Sequence, residues 1–356
     1  MSSTSPFDPT PASVAQPFWD WFGTRPTGLE RIGGGRNSQV YRVETEAGRK
    51  FALKVYFRHA ADNRDRLATE YGSLAYLWAK GFREIPEPLA ADPARSWAVY
   101  QYLEADRLAP GQAGTAEVHA AADFLIRLRS LSQKPDSRKL GIASEAHFAL
   151  AQVGAHVEAR LQKLRVIRHD TPAGRQLREF LEGEFVPLFG QVLTFSRDHL
   201  QASGASPDEE LPWELRTLSP SDFGFHNALR QPGGRIFFLD LEYFGWDDPG
   251  KMVSDFLLHP AMNLSSALKK AFASTLFDGF SDFPGLPARV ESLYPLFGLK
   301  WCLIFLNEFL PESLQRRQFA GVAPAQQEGT QLDQLAKARL MLDQVRREYR
   351  AFPYRD

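Results

Sequence analysis

The sequence predicts an α+β fold: a small, mainly antiparallel sheet with one helix, then a larger helical body. Three observations predict it. First, residues 28–103 are dominated by strand and turn signals. LERIGGGRNSQVYRVE reads as strand, glycine turn, strand; EAG (46–48) makes the next turn; KFALKVYF (50–57) is a third strand and SWAVYQYLE (96–104) another. Second, one stretch among them, NRDRLATEYGSLAYLWAKG (63–81), changes period. Its Leu67, Tyr71, Leu74 and Leu77 step by four, three and three, and Gly81 stops the helix. Third, the chain beyond 104 is largely helical. TAEVHAAADFLIRLRSL, EAHFALAQVGAHVEARLQKL and GRQLREFLEGEFVPLFGQVLTFSRDHL carry apolar residues at three- and four-residue spacing. ASGASPDEELP (202–212) is a polar loop, followed by a QPGG turn (231–234), the strand RIFFLDLEYF and more helices. In the last helix Leu335, Ala338, Leu342, Val345 and Tyr349 form a stripe too short for a coiled coil, so it packs on the body.

Composition narrows the class. Apolar residues make up 44% and charged residues 24% of the 356, as in an ordinary globular protein. The formal net charge of −1, with both signs interspersed, gives no basic surplus and so argues against a nucleic-acid partner. Cys302 is the single cysteine, which excludes an intrachain disulfide and fits a reducing, cytoplasmic setting. The first residues lack a basic start and an apolar run, so no signal peptide is expected. The most apolar stretch, 293–309, is interrupted by Pro295, Lys300, Asn307 and Glu308 and reads as a buried helix, not a membrane span. Residues 1–16, rich in Ser, Thr and Pro, read as a disordered tail. The expected division is then a first, sheet-containing lobe at 17–103 and a second, mainly helical lobe at 104–356.

Two acids and an amide near an apolar strand carry the chemistry. SDFGFHN (221–227) places Asp222 five positions before Asn227 in a turn-rich loop, and RIFFLDLEYF (235–244) brings Asp240 to a strand end. Two carboxylates and an amide oxygen make a hard-ligand set suited to Mg2+, with waters and phosphates completing the octahedron. If Asp240 and Asn227 hold the ion, Asp222 is left to orient a hydroxyl and accept its proton. Upstream, the glycines of GGGRNSQVYRV can present backbone N–H groups to phosphate oxygens. Lys54 shares a strand face with Ala52 and Tyr56, placing a cation beneath that loop. Glu70 is the nearest acid with an apolar neighbourhood to hold it. Each residue alone has a plainer reading as turn former, edge lysine or solvated acid; the whole set in this order does not. The eight histidines show no zinc-ligand spacing. His226 reads as loop packing and Cys302 as a small buried hydrophobe.

Glycine loop, strand lysine, helix glutamate, Asp-x4-Asn and a later strand Asp follow the order of kinase-like phosphotransferases. GGGRNSQVYRV, FALKVYF and FLDLEYFGWDDPGKMVSDF resemble the aminoglycoside phosphotransferase and choline kinase group, over motifs running from about 33 to 258. The resemblance implies a bilobal protein kinase-like fold that uses ATP and Mg2+. Gly34, Gly35 and Ser38 would cover the phosphates. Lys54, paired with Glu70, would bind the α- and β-phosphates. The carbonyl of Gln101 and the N–H of Leu103 would hold adenine. Asp222 would be the base, Asn227 and Asp240 the metal ligands, and Asp255 a structural acid bracing the catalytic loop. Glu242 would add to the metal or substrate site.

The sequence departs from the group's pattern twice. Pro220-Ser221-Asp222 stands in place of His-Gly-Asp, which implies altered bracing of the loop, and Asn37-Ser38 replaces Ser-Asn, which leaves the phosphate contact open between the two. Candidates for holding the acceptor are Glu242, Tyr243, Trp301 and Glu308, with Trp246 and Asp247. Such residues suit cationic substrates and sugars alike. The helices at 144–200 favour a sugar or amino-sugar hydroxyl over choline. The expected activity is transfer of the γ-phosphate to a hydroxylated small molecule. Its rival is a pseudokinase-type nucleotide-binding or scaffold protein without transfer, suggested by the altered loop. No membrane partner is expected, and monomer and dimer are both open.

Overall fold

The computed structural model describes residues 9–35, 37–57, 64–167, 170–311 and 324–355. The chain forms two compact units, each discontinuous in sequence. The first is Met1–Gln112, Lys139–Ser144 and Pro220–Gly245; the second is Ala113–Arg138, Glu145–Ser219 and Trp246–Asp356.

A five-stranded antiparallel sheet in the order β1-β2-β3-β5-β4 organises the first unit. Its strands are β1 (Pro26–Gly34), β2 (Ser38–Thr45), β3 (Lys50–Tyr56), β4 (Pro88–Asp92) and β5 (Trp97–Gln101). Side chains alternate along β3. Phe51, Leu53 and Val55 point into an apolar core with Val43 and Val99, while Lys54 and Tyr56 reach the opposite face, where Glu70 meets both. Glu70 belongs to α2 (Arg66–Ala79), which starts on the Asp65 cap. The helix expected at 63–81 therefore forms, although its first position, Asn63, lies outside the described residues.

The core on the other face is closed by α1 (Pro11–Phe22), through Val14 and Phe18. This corrects the expectation of a tail through residue 16; of that stretch, 1–8 lie outside the described residues. The reason is local. Thr10 and Ser13 form a reciprocal capping box, a proline occupies the first turn, and Val14 and Phe18 fall one turn apart on the face that packs against Phe51. Short Ser/Thr/Pro segments look like tails by composition, but the same residues start helices.

The first unit also contains a small sheet in which Asp106–Arg107 pairs with Ala228–Arg230, and that strand with Ile236–Phe238. This pairing recruits residues 220–245 into the first unit.

The second unit is helical: α3 (Thr115–Ser132), α4 (Leu150–Arg165), α5 (Pro172–Glu179), α6 (Val186–Ala202), α7 (Pro249–Leu258), α8 (Ser266–Gly279), α9 (Leu286–Phe305) and α10 (Pro324–Glu348). The stretch 174–200, read as helical from its spacing, is helical and contains a wide π turn at Phe180–Phe185 between α5 and α6. Pro187 follows it. Without an N–H, proline cannot continue the regular hydrogen-bond ladder, so the chain loosens by one residue per turn just before it. α9 is buried almost all round, as its apolar sequence requires. The α10 stripe Leu335, Ala338, Leu342, Val345 and Tyr349 is buried. Each large side chain in it contributes roughly 1.5–3 kcal/mol of burial. Among the described residues, no helix is long and apolar enough to cross a membrane.

Candidate active site

Among the candidate residues in the first unit, Lys54 meets two of the others. β3 is flanked on both sides, Lys54 pairing in register with Val40 of β2 and Ala98 of β5, so the side chain cannot escape to an edge. Its Nζ meets Glu70 Oε2 at 2.6 Å and Asp240 Oδ1 at 2.6 Å. Burial acts to strip its proton, but the Glu70 and Asp240 carboxylates prevail and hold its pKa above the ordinary lysine value. Glu70 is fixed further by the Tyr56 hydroxyl, which donates to Oε2 at 2.8 Å; the hydroxyls of Tyr56 and Tyr100 lie 2.8 Å apart. Burial first, and then the Glu70 charge, push both phenols well up, so they stay neutral. Neither tyrosine was singled out from sequence. Tyr56 was legible as the residue two places beyond Lys54 on one strand face; Tyr100 depends on strand pairing.

Asp240 sits two residues beyond the Ile236–Phe238 strand in a left-handed conformation, φ 63°. Ser221 does the same at φ 67°. Two non-glycine residues in this region, one of them a candidate ligand and the other beside the candidate base, mark stored backbone strain. The Ser221 hydroxyl donates to the carbonyl of Ser144 at 3.2 Å, and the Ser144 N–H donates to the carbonyl of Tyr243 at 3.1 Å. Serine therefore supplies the bracing that Pro220-Ser221 put in question.

The loop folds back on itself. Asn227 Nδ2 donates to the backbone carbonyl of Asp222 at 3.1 Å, which leaves the amide oxygen as the atom suited to a cation. The Asn227 carbonyl accepts from the Leu239 N–H at 2.8 Å, tying this loop to the residue before Asp240. Asp222 keeps a carboxylate side chain 41% exposed, with His226 Nε2 at 3.1 Å from its Oδ1. His226, read from sequence as loop packing ahead of a substrate contact, reaches the candidate base.

Glu70, Asp240 and Glu242 each offer a carboxylate oxygen within 4.8 Å of the others. Glu242 is buried and accepts from Asn37 Nδ2 at 2.6 Å. Asn37 also donates to the Tyr243 hydroxyl at 2.8 Å. Burial, and then Glu242, push the Tyr243 phenol up to about 12. The glycine turn itself is tight. Gly34 has φ 150°, and a β-carbon there would lie 2.9 Å from the Ser38 carbonyl oxygen, which accepts from the Gly35 N–H at 2.9 Å. Ser38 is buried at the start of β2. Gln101 ends β5 with its N–H donated to Glu87, and Leu103 is buried just beyond.

The remaining candidates belong to the second unit. Trp301 is half-buried on α9, edge-on to His259 with ring centroids 4.8 Å apart. Glu308 lies in the turn after α9, its carbonyl accepting from Gln331. Trp246 and Asp247 are fully buried; the indole donates to Ser137 and the carboxylate pairs with Lys251 at 2.7 Å. These two are core residues. Asp255 pairs with Lys300 at 3.1 Å and Lys251 at 3.3 Å; burial opposes its charge, but the two ammonium groups hold its pKa below the usual carboxylate range. Cys302 is buried, as expected.

Residues 28–293 match a family described as the phosphotransferase enzyme family. No curated protein matches the sequence. Among solved structures the chain is similar to a spectinomycin phosphotransferase in complex with ADP and spectinomycin, with TM-score 0.64 and 11% identity over 96% of this chain and 99% of that one. It is also similar to a choline/ethanolamine kinase family protein from Mesorhizobium loti (TM-score 0.52, 19% identity, 91% and 93% covered). A third likeness is to the choline kinase LicA from Streptococcus pneumoniae (0.55, 13%, 93% and 98%). These likenesses show a kinase-like α+β fold.

Proposed function

Because the chain belongs to the phosphotransferase enzyme family, we propose that it is an ATP- and Mg2+-dependent small-molecule kinase that moves the γ-phosphate to a hydroxyl, with Asp222 as the base. The observation that carries this reading is Lys54 bridging Glu70 and Asp240 at 2.6 Å each. An ammonium held charged between a helix acid and a strand-end acid is ready to meet phosphate oxygens and draws no proton from them.

Each residue has a role in the proposal. The glycine turn at Gly34 and Gly35, with Ser38, covers the phosphates. The carbonyl of Gln101 and the N–H of Leu103 hold the adenine edge. Asn227 and Asp240 would hold Mg2+. The donor set fits a hard cation, since the Glu70 and Glu242 carboxylates gather beside that of Asp240 and the Asn227 nitrogen is committed to its own loop. The bound ion would offset the negative charge of the nucleotide phosphates. Asp222, oriented by the loop and by His226, positions the acceptor hydroxyl and takes its proton as the oxygen attacks phosphorus. The structural neighbours include a spectinomycin phosphotransferase, a choline kinase and a choline/ethanolamine kinase family protein, so sugars, amino sugars and amino alcohols are the acceptor classes to try, with sugars and amino sugars first. The setting proposed is the cytoplasm. The rival reading, a scaffold without transfer, rested on Pro220-Ser221; a complete set of Lys54, Glu70, Asp222, Asn227 and Asp240 favours a working enzyme.

The test is ADP release from ATP and Mg2+ across sugars, aminoglycosides, choline and ethanolamine. One class should stimulate release strongly, and Asp222→Asn should lower that rate by about 10²–10⁴-fold with nucleotide affinity nearly unchanged. Full turnover in the variant would refute the base, and no stimulation by any acceptor would refute the kinase.

A further inference from the structure

We infer that Glu242 and Tyr243 fasten the glycine turn to the strand-end acids, so that release of this latch sets the rate of nucleotide exchange. The inference rests on the phosphotransferase reading and revises one part of it: these two residues act as positioning residues and do not contact the acceptor. Four contacts within the first unit carry it. Both hydrogens of the Asn37 amide are used, one on Glu242 Oε1 at 2.6 Å and one on the Tyr243 hydroxyl at 2.8 Å. Arg66 Nε stands 3.5 Å from the same Glu242 oxygen. The Arg64 guanidinium lies over the Tyr243 ring, 5.6 Å from its centroid.

The chain positions give these contacts their meaning. Asn37 lies between the glycines and β2, and its carbonyl accepts from the Phe57 N–H just past β3 at 2.8 Å. Arg66 is the first residue of α2, one turn before Glu70. Glu242 and Tyr243 follow Asp240 in a turn closed by the Phe244 N–H on the Leu241 carbonyl. The Asp240-x-Glu242-Tyr243 segment therefore holds the lysine with its first acid and the phosphate-covering turn with its second acid and the phenol. A charge-assisted hydrogen bond to a buried carboxylate is strong, and losing it should be visible in a rate. A nucleotide whose phosphates lie under the turn can leave only when Asn37 lets go.

Dissociation of a fluorescent ADP analogue from the full chain, followed by stopped flow with no acceptor, reads this directly. Asn37→Asp places a carboxylate against Glu242 and should speed dissociation by about tenfold. Asn37→Asp combined with Glu242→Gln exchanges donor and acceptor and should bring the rate back to within about threefold of wild type. Tyr243→Phe keeps the ring over Arg64, loses one acceptor, and should speed dissociation by roughly threefold; it stands in if Asn37→Asp does not fold. Rates unchanged in Asn37→Asp or Tyr243→Phe would overturn the latch. So would a double variant as fast as Asn37→Asp, the result expected if Glu242 serves only a metal. Absence of saturable ADP binding by the wild-type chain would overturn the kinase reading along with the latch, whereas tight binding insensitive to these variants would overturn the latch alone.

Discussion

Lys54 and Glu70 are both buried, and each makes the other's charge tolerable. Removing one partner of such a pair leaves an uncompensated charge, which costs about 3–5 kcal/mol; removing both costs far less. Lys54→Met should therefore lower stability to urea by about 3 kcal/mol. Adding Glu70→Gln should recover most of that loss while turnover stays at least about 10²-fold down. Recovery of turnover along with stability would mean the pair is scaffolding alone. At this scale the sequence was informative about charged residues and silent about their neutral partners. Lys54, Glu70 and Asp240 were legible because charge in an apolar setting needs a reason. Tyr100 was not, because a tyrosine in a strand is unremarkable until Tyr56 is placed beside it. Trp246 and Asp247 misled in the opposite sense: their types suit a ligand, and only burial shows that they serve the core.

Among the elements, α4 and the turn ending at Gly245 make separate predictions. On α4, burial first and then the Arg160 guanidinium hold the His156 imidazole down at about 4, against an ordinary 6.5. His147, its ring 4.7 Å away, is lowered by burial and then by Lys251. Between those two pH values the unfolded chain binds protons that the folded chain refuses. The stabilisation is thus complete above pH 6.5 and is lost as pH falls toward 4. Melting temperature should drop across that window, and His156→Gln should flatten the drop; an unchanged slope would reject the assignment. At Gly245 a β-carbon would lie 2.4 Å from the Ala143 nitrogen and 2.6 Å from the Gly141 oxygen. Backbone atoms cannot move aside as a side chain would, so Gly245→Ala should cost about 1–3 kcal/mol in urea denaturation. Element type was readable from period for β2, β3, β5, α2, α3 and α10. It failed at the helix 11–22, read from composition as a tail, whose start is fixed by two short hydroxyl side chains, and the spacing that marks 174–200 as helical does not reveal the π turn in 180–185.

At the level of the whole molecule, the order of motifs along the chain was enough to suggest the fold, and the family match and structural likenesses agree with it. What order could not show is that residues 220–245 leave the helical stretch of sequence and pack with the first unit. Strand pairing of Asp106–Arg107 with Ala228–Arg230 does this, and two-residue pairings across more than a hundred positions leave no periodic trace. That recruitment brings Asp222, Asn227 and Asp240 into the same unit as Lys54, and the chemistry proposed depends on it. The most direct measurement is the mass balance of a reaction with γ-labelled ATP, Mg2+ and the acceptor that best stimulates ADP release. The account predicts one labelled phosphoryl group on an acceptor oxygen for each ADP formed, with the label nearly absent from the acceptor in Asp222→Asn. Label appearing only as inorganic phosphate, or equal acceptor labelling by wild type and variant, would contradict it.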